Sequence, residues 1–352
     1  MTKKIFVGGV PVGGGERIKI QSMTTVRTAN VDEAVRQIGA LAAAGCDIVR
    51  VAVLDEADAR AIREIKARVS LPLVADIHFS ARLAVLSVEN GADKVRINPG
   101  NIGGEDKIAL VADCVKAHHI PVRVGANTGS IEKGFLERYG KSEVSLVESA
   151  LYNVGILEKH GIGDIAVSVK ASDVPLTVRA YRLLSLRCDY PLHLGVTEAG
   201  TKDSGVVKSS IGIGASLLGG IGETIRVSLS ADPVEEIYAA KRILRALDLE
   251  KDYADVVACP TCGRCEWDCM RLAEQVEKRA FGAKKRCKIA VMGCVVNGPG
   301  EAADADLGIA GGKDFCLIFR KGVPEAKVAK ECAEQEFLKR VDELLGRERS
   351  KE

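Results

Sequence analysis

Gly91-Ala-Asp-Lys-Val-Arg-Ile-Asn98 is the stretch whose reading decides the fold. A small-residue turn, Gly91-Ala-Asp93, leads into a short run in which Val95 and Ile97 share one side and Arg96 the other. That period of two is the mark of a strand. The same plan recurs outward from it, at Ile18–Met23, Asp47–Val53, Leu71–Ile77, Pro121–Asn127, Asp164–Lys170, Pro191–Thr197 and Thr224–Ser230. With Lys94–Asn98 these make eight runs, and helical segments separate them. Eight βα units between residues 18 and 248 match the size of a closed (β/α)8 barrel. Strand entries alternate as well. Gly45-Cys-Asp47, Gly91-Ala-Asp93 and Gly163-Asp164 interleave with Leu71-Pro72, Ile120-Pro121 and Tyr190-Pro191. A barrel whose inward side chains stack in alternating layers has a reason to keep a two-unit period; an open doubly wound sheet has none.

The expected fold class is therefore α/β, with a (β/α)8 TIM-type barrel over residues 1–250. Val10-Pro-Val-Gly-Gly-Gly15 reads as a hairpin capping the barrel bottom. The last barrel helix is signed by Asp232 as cap, Pro233 in the first turn and Glu235 as reciprocal cap. Past Leu249-Glu-Lys-Asp252 the pattern changes. Residues 251–352 read as a small α+β domain. It holds one cysteine-rich βα unit, strands near Leu307–Ala310 and Phe315–Phe319, and a long helix from Pro324 to Leu345.

Composition excludes several classes. The 352 residues carry 50 basic and 48 acidic side chains, which gives no electrostatic case for nucleic acid or an anionic membrane surface. Aromatics at 4% leave little for base stacking. No apolar stretch reaches the length of a membrane span, and the N-terminus lacks the apolar core of a signal peptide. Eleven cysteines without an export signal point to reduced thiols and a cytoplasmic setting. Cys46, Cys114, Cys188, Cys287, Cys316 and Cys332 all read as structural.

Four arginines sit inside apolar strands: Arg50, Arg96, Arg123 and Arg226. A buried guanidinium needs an anion. Carboxylates such as Asp47 and Asp93 are the structural option. A ligand with two phosphates is the functional one, because guanidinium grips phosphate oxygens bidentately near strand C-termini, where barrel enzymes place their sites. Other polar residues end the strands: Asp76, His78, Asn98, Asn127, Ser168, Lys170, Glu198 and Ser228. Glu198, in Gly195-Val-Thr-Glu-Ala-Gly200, is a candidate acid/base or a neutraliser of Lys170 or Arg226. The glycine-rich Ile211–Gly222 stretch reads as close packing and not as a nucleotide fingerprint.

The second domain carries Cys259-Pro-Thr-Cys262 and Met292-Gly-Cys294-Val-Val-Asn-Gly-Pro-Gly-Glu301. A C-x-x-C pair converges on one point, and the turn at Asn297–Gly300 returns Glu301 toward Cys294. Three thiolates and one oxygen ligand suit an iron–sulfur cluster with one exchangeable iron. Two readings compete. Cys259, Cys262, Cys265 and Cys269 form the C-x2-C-x2-C-x3-C run of ferredoxins, although Met270 stands where a proline is usual and Cys269 falls on a helical apolar face. A tetrahedral zinc site from Cys259, Cys262, Cys265 and Cys294 is the other.

Taken together, Gln21–Thr25, Ala75–Phe79, Val95–Gly103, Arg123–Asn127, Gly195–Gly200, Cys259–Arg264 and Met292–Glu301 resemble the bacterial 4-hydroxy-3-methylbut-2-enyl diphosphate synthase family over nearly the whole chain, in its compact form. The resemblance implies a 4Fe-4S cluster on Cys259, Cys262 and Cys294 with Glu301 on the fourth iron. It implies 2-C-methyl-D-erythritol 2,4-cyclodiphosphate as substrate, held by Arg50, Arg96, Arg123, Asn127, Lys170, Arg226 and Ser228, with Glu198 at the reacting carbons. A reduced flavodoxin or ferredoxin would supply two electrons. The family's cluster domain closes over a partner's barrel, which implies a homodimer. Cys265 and Cys269 are departures from the family pattern. The alternative function is a non-redox barrel synthase for a phosphorylated substrate, with a structural zinc domain.

Overall fold

The computed structural model describes residues 1–347. A hairpin opens the chain: β1 (Ile5–Val7) pairs antiparallel with β2 (Val10–Val12). Eight parallel strands follow: β3 (Lys19–Met23), β4 (Ile48–Ala52), β5 (Leu73–Asp76), β6 (Lys94–Ile97), β7 (Val122–Asn127), β8 (Ile165–Lys170), β9 (His193–Leu194) and β10 (Thr224–Ile225). Their order is β8-β7-β6-β5-β4-β3-β10-β9. A parallel bridge between Val167 and Leu192 joins the two ends and closes the barrel. This is the expected (β/α)8 architecture.

Alternation sets the two faces. Val49, Val51, Val95, Ile97, Val122, Val124, Ile225 and Val227 are at most 1% exposed and pack outward against the helices. Burying such a side chain stabilises by about 1.5–3 kcal/mol. At the strand entries, inward-facing Ile48, Val74 and Ala166 pack against Ile5, Val7 and Val12. The hairpin thus plugs the barrel bottom as expected, but its turn is Gly8-Gly9, and the Gly13-Gly-Gly15 run follows β2.

Helix starts carry the expected caps. Asp55, Ser80 and Asp173 each accept a backbone N–H from the first turn. Asp232 caps Pro233–Ala246 by accepting from Val234 at 2.8 Å. Glu235 does not complete a reciprocal cap; it pairs instead with Lys202 at 2.9 Å. The glycine-rich stretch is close packing. A Cβ on Gly212 would stand 2.6 Å from Val196, and Gly222, at φ +113°, lies against Leu194.

The second compact unit begins at Glu250. Its sheet has the order β11 (Ala254–Ala258), β12 (Cys287–Met292), β13 (Leu307–Gly311), β14 (Phe315–Arg320) and β15 (Val323–Ala329). The first three strands are parallel and the last two antiparallel. The expected helix from Pro324 to Leu345 is corrected here. Its first turns are the edge strand β15, and the helix runs Lys330–Leu344. Pro324 is tolerated because it lies on an edge strand, at the register shift between Ile318 and Phe319. The helices Cys269–Ala280 and Lys330–Leu344 bury Leu272, Val276, Phe337 and Val341 against Ile289, Ile309 and Ile318. No helix of the described residues is long and apolar enough to cross a membrane.

Candidate active site

The barrel mouth encloses a cavity of about 130 Å³ lined by Arg50, Asp76, His78, Arg96, Arg123, Asn127, Ser168, Lys170, Thr197, Arg226 and Ser228. Strand register explains the convergence. Arg96 pairs across with Arg123, and Asn127 with Lys170, so inward positions of neighbouring strands come level. Arg50, Arg96, Arg123, Asn127, Lys170, Arg226 and Ser228, expected at the site from sequence, all line this one cavity.

Two carboxylates face the five cations. Asp76 lies 3.3 Å from Arg96 and 3.7 Å from Arg50. Burial alone would raise its carboxyl, but Arg50, Arg96 and Arg123 outweigh that and hold it below the ordinary range. Glu236, projecting from the helix Pro233–Ala246, lies 3.4 Å from Arg226 and accepts from Ser22 Oγ at 2.8 Å and the Leu229 N–H at 3.1 Å. Asp47 and Asp93 do not serve the strand arginines. Asp47 pairs with Arg17, and Asp93 with Lys66. Sequence reasoning missed Glu236 and Thr197. Asp76, His78 and Ser168 were visible only as polar strand ends.

The charge is left uncompensated. Arg123 is 2% exposed; the Ser168 hydroxyl stands 3.4 Å from it, and its Nε has no partner among the described residues. Burial, then Arg50 and Arg96, push its pKa well down. The Lys170 ammonium is lowered well below its usual value by burial and then by Arg123, Arg50, Arg226 and Arg96. One layer deeper, Lys94 is 1% exposed and is lowered to about 7, by burial first and Arg123 second. Gly195 leaves room for Lys170: a Cβ there would meet its Nζ and the Arg226 carbonyl, each at 2.7 Å.

Glu198 does not line the cavity; its neighbour Thr197 does. Glu198 is exposed, with φ +53°, a left-handed conformation uncommon for a non-glycine residue. Such strain gathers at functional sites.

In the second unit, Cys259, Cys262, Cys294 and Glu301 line one cavity of about 170 Å³, with Pro260, Thr261, Arg264, Met292, Gly293, Asn297 and Gly298. Cys259 follows β11, and its N–H donates to Val291 on β12 at 3.0 Å. Thr261 takes φ +63° within the Cys259–Cys262 turn. Cys294 leaves β12, and the short helix Gly298–Glu301 brings the carboxylate back. Gly298 is required there, since a Cβ would lie 2.7 Å from that of Met292. The Asn297 N–H, aided by those of Val296 and Gly298 and by Arg264, holds the Cys294 thiol below its usual range despite partial burial.

Cys265 and Cys269 do not line this cavity. Their sulfurs lie 3.6 Å apart, and Cys269 is 2% exposed in the apolar core. No three His, Cys, Asp or Glu side chains among the described residues are gathered closely enough to hold one metal ion.

Comparison with known proteins bears on both units. Residues 2–241 match the family model described as the GcpE TIM-barrel domain, and residues 255–343 match the GcpE protein C-terminal domain. A protein of Caldanaerobacter subterraneus subsp. tengcongensis, named 4-hydroxy-3-methylbut-2-en-1-yl diphosphate synthase (flavodoxin), is 52% identical over 349 residues, covering 99% of this chain and 98% of its own. A protein of the same name from Ruminiclostridium cellulolyticum is 52% identical over 344 residues, covering 97% and 98%. Among solved structures, type I 3-dehydroquinate dehydratase from Clostridium difficile superposes with a TM-score of 0.51 at 14% identity. It covers 70% of this chain and 98% of its own, a likeness of barrel fold alone. With both units matched and half of all positions shared end to end, the chain belongs to the 4-hydroxy-3-methylbut-2-en-1-yl diphosphate synthase (flavodoxin) family.

Proposed function

We propose that this enzyme opens the ring of 2-C-methyl-D-erythritol 2,4-cyclodiphosphate and removes one oxygen as water, giving 4-hydroxy-3-methylbut-2-enyl diphosphate for isoprenoid biosynthesis. Two electrons and two protons enter for each water that leaves. The observation that carries the reading is the uncompensated charge of the barrel mouth, in a chain of this synthase family. Among the described residues, five cations line one cavity to which Asp76 alone contributes a carboxylate, while Glu236, outside the lining, pairs with Arg226. A diphosphate is the anion whose charge and geometry answer that excess. Arg50, Arg96, Arg123, Lys170 and Arg226 bind the diphosphate and stabilise it as the ring opens, and Asn127 and Ser228 orient it.

The Cys259, Cys262, Cys294 and Glu301 donors fit a 4Fe-4S cluster. They line one cavity, and Cys294 is biased toward the thiolate that ligation needs. When bound, such a cluster supplies electrons one at a time and an exchangeable iron. Glu198, at the exit of strand β9, supplies a proton to the departing hydroxyl. Its left-handed backbone supports a role that packing does not explain.

The relatives' names include flavodoxin, so a reduced flavodoxin or ferredoxin is the proposed electron donor. The same names leave the non-redox synthase with a zinc domain without support. A homodimer is supported by the helix Lys202–Leu218. Its Val207, Ile211 and Leu218, spaced by four and seven, are 58%, 57% and 76% exposed along one apolar stripe. Free cysteines throughout the chain support a reducing, cytoplasmic setting.

The test is an anaerobic assay of the full chain with the cyclodiphosphate and a reduced flavodoxin, paired with iron and sulfide analysis. The wild type should turn over. Cys259→Ser, Cys262→Ser and Cys294→Ser should each lose iron and activity. Turnover of the cyclodiphosphate by iron-free protein would overturn the reading.

A further inference from the structure

Cys265 and Cys269 lie outside both cavities, and neither has a part in the proposed reaction. Their sulfurs are nonetheless in contact at 3.6 Å. The contact is held from several sides. The Cys265 N–H donates to the Cys262 carbonyl at 2.9 Å, and its thiol donates to the Trp267 carbonyl at 3.2 Å. Trp267 Nε1 donates to the Gly293 carbonyl at 3.2 Å. The indole ring lies so close over Gly311 that a Cβ there would stand 2.2 Å from it. Asp268 caps the helix that Cys269 begins, accepting from the Arg271 N–H at 3.0 Å. Both thiols are thus fixed on one short pinned segment. From 3.6 Å the two sulfurs have only a short further approach to the ~2.05 Å of a disulfide.

We propose that Cys265 and Cys269 are a modification site: a dithiol that a hydroperoxide converts to an intramolecular disulfide. Cys265 is partly exposed and meets the oxidant, whereas Cys269 is 2% exposed and does not. In the first step the Cys265 sulfur attacks the peroxide O–O bond, giving a sulfenic acid and releasing an alcohol or water. In the second the Cys269 sulfur displaces that hydroxyl. The S–S bond forms, the S–O bond breaks, and the Cys269 proton leaves with the oxygen as water. The two thiols lose two electrons and two protons, and the peroxide gains them as it is reduced to an alcohol and water, or to two waters.

The site has a consequence for its neighbour. A Cβ on Gly293 would lie 3.2 Å from the Cys265 sulfur and 3.4 Å from that of Cys259, so the two sulfurs border one spot. An oxidised Cys265 that found no Cys269 would have Cys259 as its next thiol. Cys269 therefore diverts oxidation away from Cys259. The disulfide itself does not depend on the proposed cluster; only this protective effect rests on that reading.

The test uses the holoenzyme, exposed anaerobically to limiting hydrogen peroxide, alkylated under denaturing conditions and digested with trypsin. Cleavage after Arg264 and Arg271 places both cysteines on Cys265–Arg271, so the product is read on one peptide. The expected result is loss of two hydrogens from that peptide, with no alkylation, before Cys259, Cys262 or Cys294 is oxidised. In Cys269→Ala, which keeps the small apolar core side chain, peroxide should instead link Cys265 to Cys259. The same variant's visible absorption should bleach several-fold faster. Cys265→Ser should leave Cys269 reduced. Two free, alkylatable thiols on Cys265–Arg271 after the cluster has bleached would overturn the proposal. So would protection of Cys265 from alkylation in native protein that a chelator removes, since that marks a metal ligand. Iron-free protein should form the same disulfide, so that result upholds this site alone, whereas failure to take up iron and sulfide on anaerobic reconstitution would refute the cluster and leave the disulfide standing.

Discussion

Replacing Arg123 with methionine sets two effects against each other. In the folded protein the guanidinium is buried, it makes a long polar contact to Ser168, and Arg50 and Arg96 repel it. Replacing buried ionic groups by apolar ones of similar volume is often stabilising, by about 1–4 kcal/mol. Asp76 keeps Arg50 and Arg96 as partners, so the gain should fall at about 1–2 kcal/mol. For a unit of this size that raises Tm by about 2–8 °C. The same change removes charge-assisted hydrogen bonds to the diphosphate, each worth about 1.5–3 kcal/mol, or about 10- to 150-fold in Kd. Arg226→Met is the contrast. It leaves the buried Glu236 without its cation and should lower Tm, while weakening binding comparably. The assays are thermal melting without ligand and calorimetric titration with the cyclodiphosphate. A lower Tm for Arg123→Met with unchanged affinity would show that the arginine is a structural cation and that the anion site lies elsewhere.

The other predictions address single groups. Lys94, at about 7 in the folded state against 10.5 unfolded, is protonated in the unfolded chain across that window. Lys94 should therefore make stability rise with pH from about 7 to 10.5, by up to about 1.4 kcal/mol per unit, and Lys94→Met should reduce the rise seen in urea titrations at stepped pH, leaving the share of Lys170. Glu198→Gln should retain iron and bind substrate yet lose turnover by about 10²–10⁴-fold; normal turnover reassigns the proton to another group, with His78 or water next. Glu301→Ala should alter the visible and paramagnetic spectra of the loaded protein, and unchanged spectra place the fourth ligand elsewhere. Gly195→Ala should displace the Lys170 ammonium and raise KM, and should also lower Tm, because its Cβ would stand 2.7 Å from the Arg226 backbone carbonyl; an unchanged KM in the folded protein would show that Lys170 does not hold substrate.

The barrel was legible because each unit repeats a period-two run, a turn and a helix, and all of that information is local. The mouth residues were legible for a related reason: a charge between two buried β-branched residues points inward wherever the strand sits. Glu236 was not legible. It lies on a helix after the last strand and folds back to Arg226 and to Ser22 on β3, a contact with no local signature. Val323-Pro-Glu-Ala-Lys-Val-Ala329 misled because Pro324 and Glu325 mimic a helix start. Pairing with β14 decides its state, and pairing is a property of the sheet. Cys265 and Cys269 fit a ferredoxin spacing, but spacing does not say that Trp267 turns them toward each other and off the cavity.

The hairpin of β1 and β2 makes the barrel a vessel with one opening. Ile5, Val7 and Val12 seal the far end with apolar side chains against Ile48, Val74 and Ala166, so an anion that settles among the arginines leaves by the way it entered. Substrate and product then queue at one door. Under the proposed reaction, a product that keeps the diphosphate would occupy the same cations and bar the next substrate until it went, and would act as a competitive inhibitor. The grip that holds the ring for opening also sets how long the door stays shut.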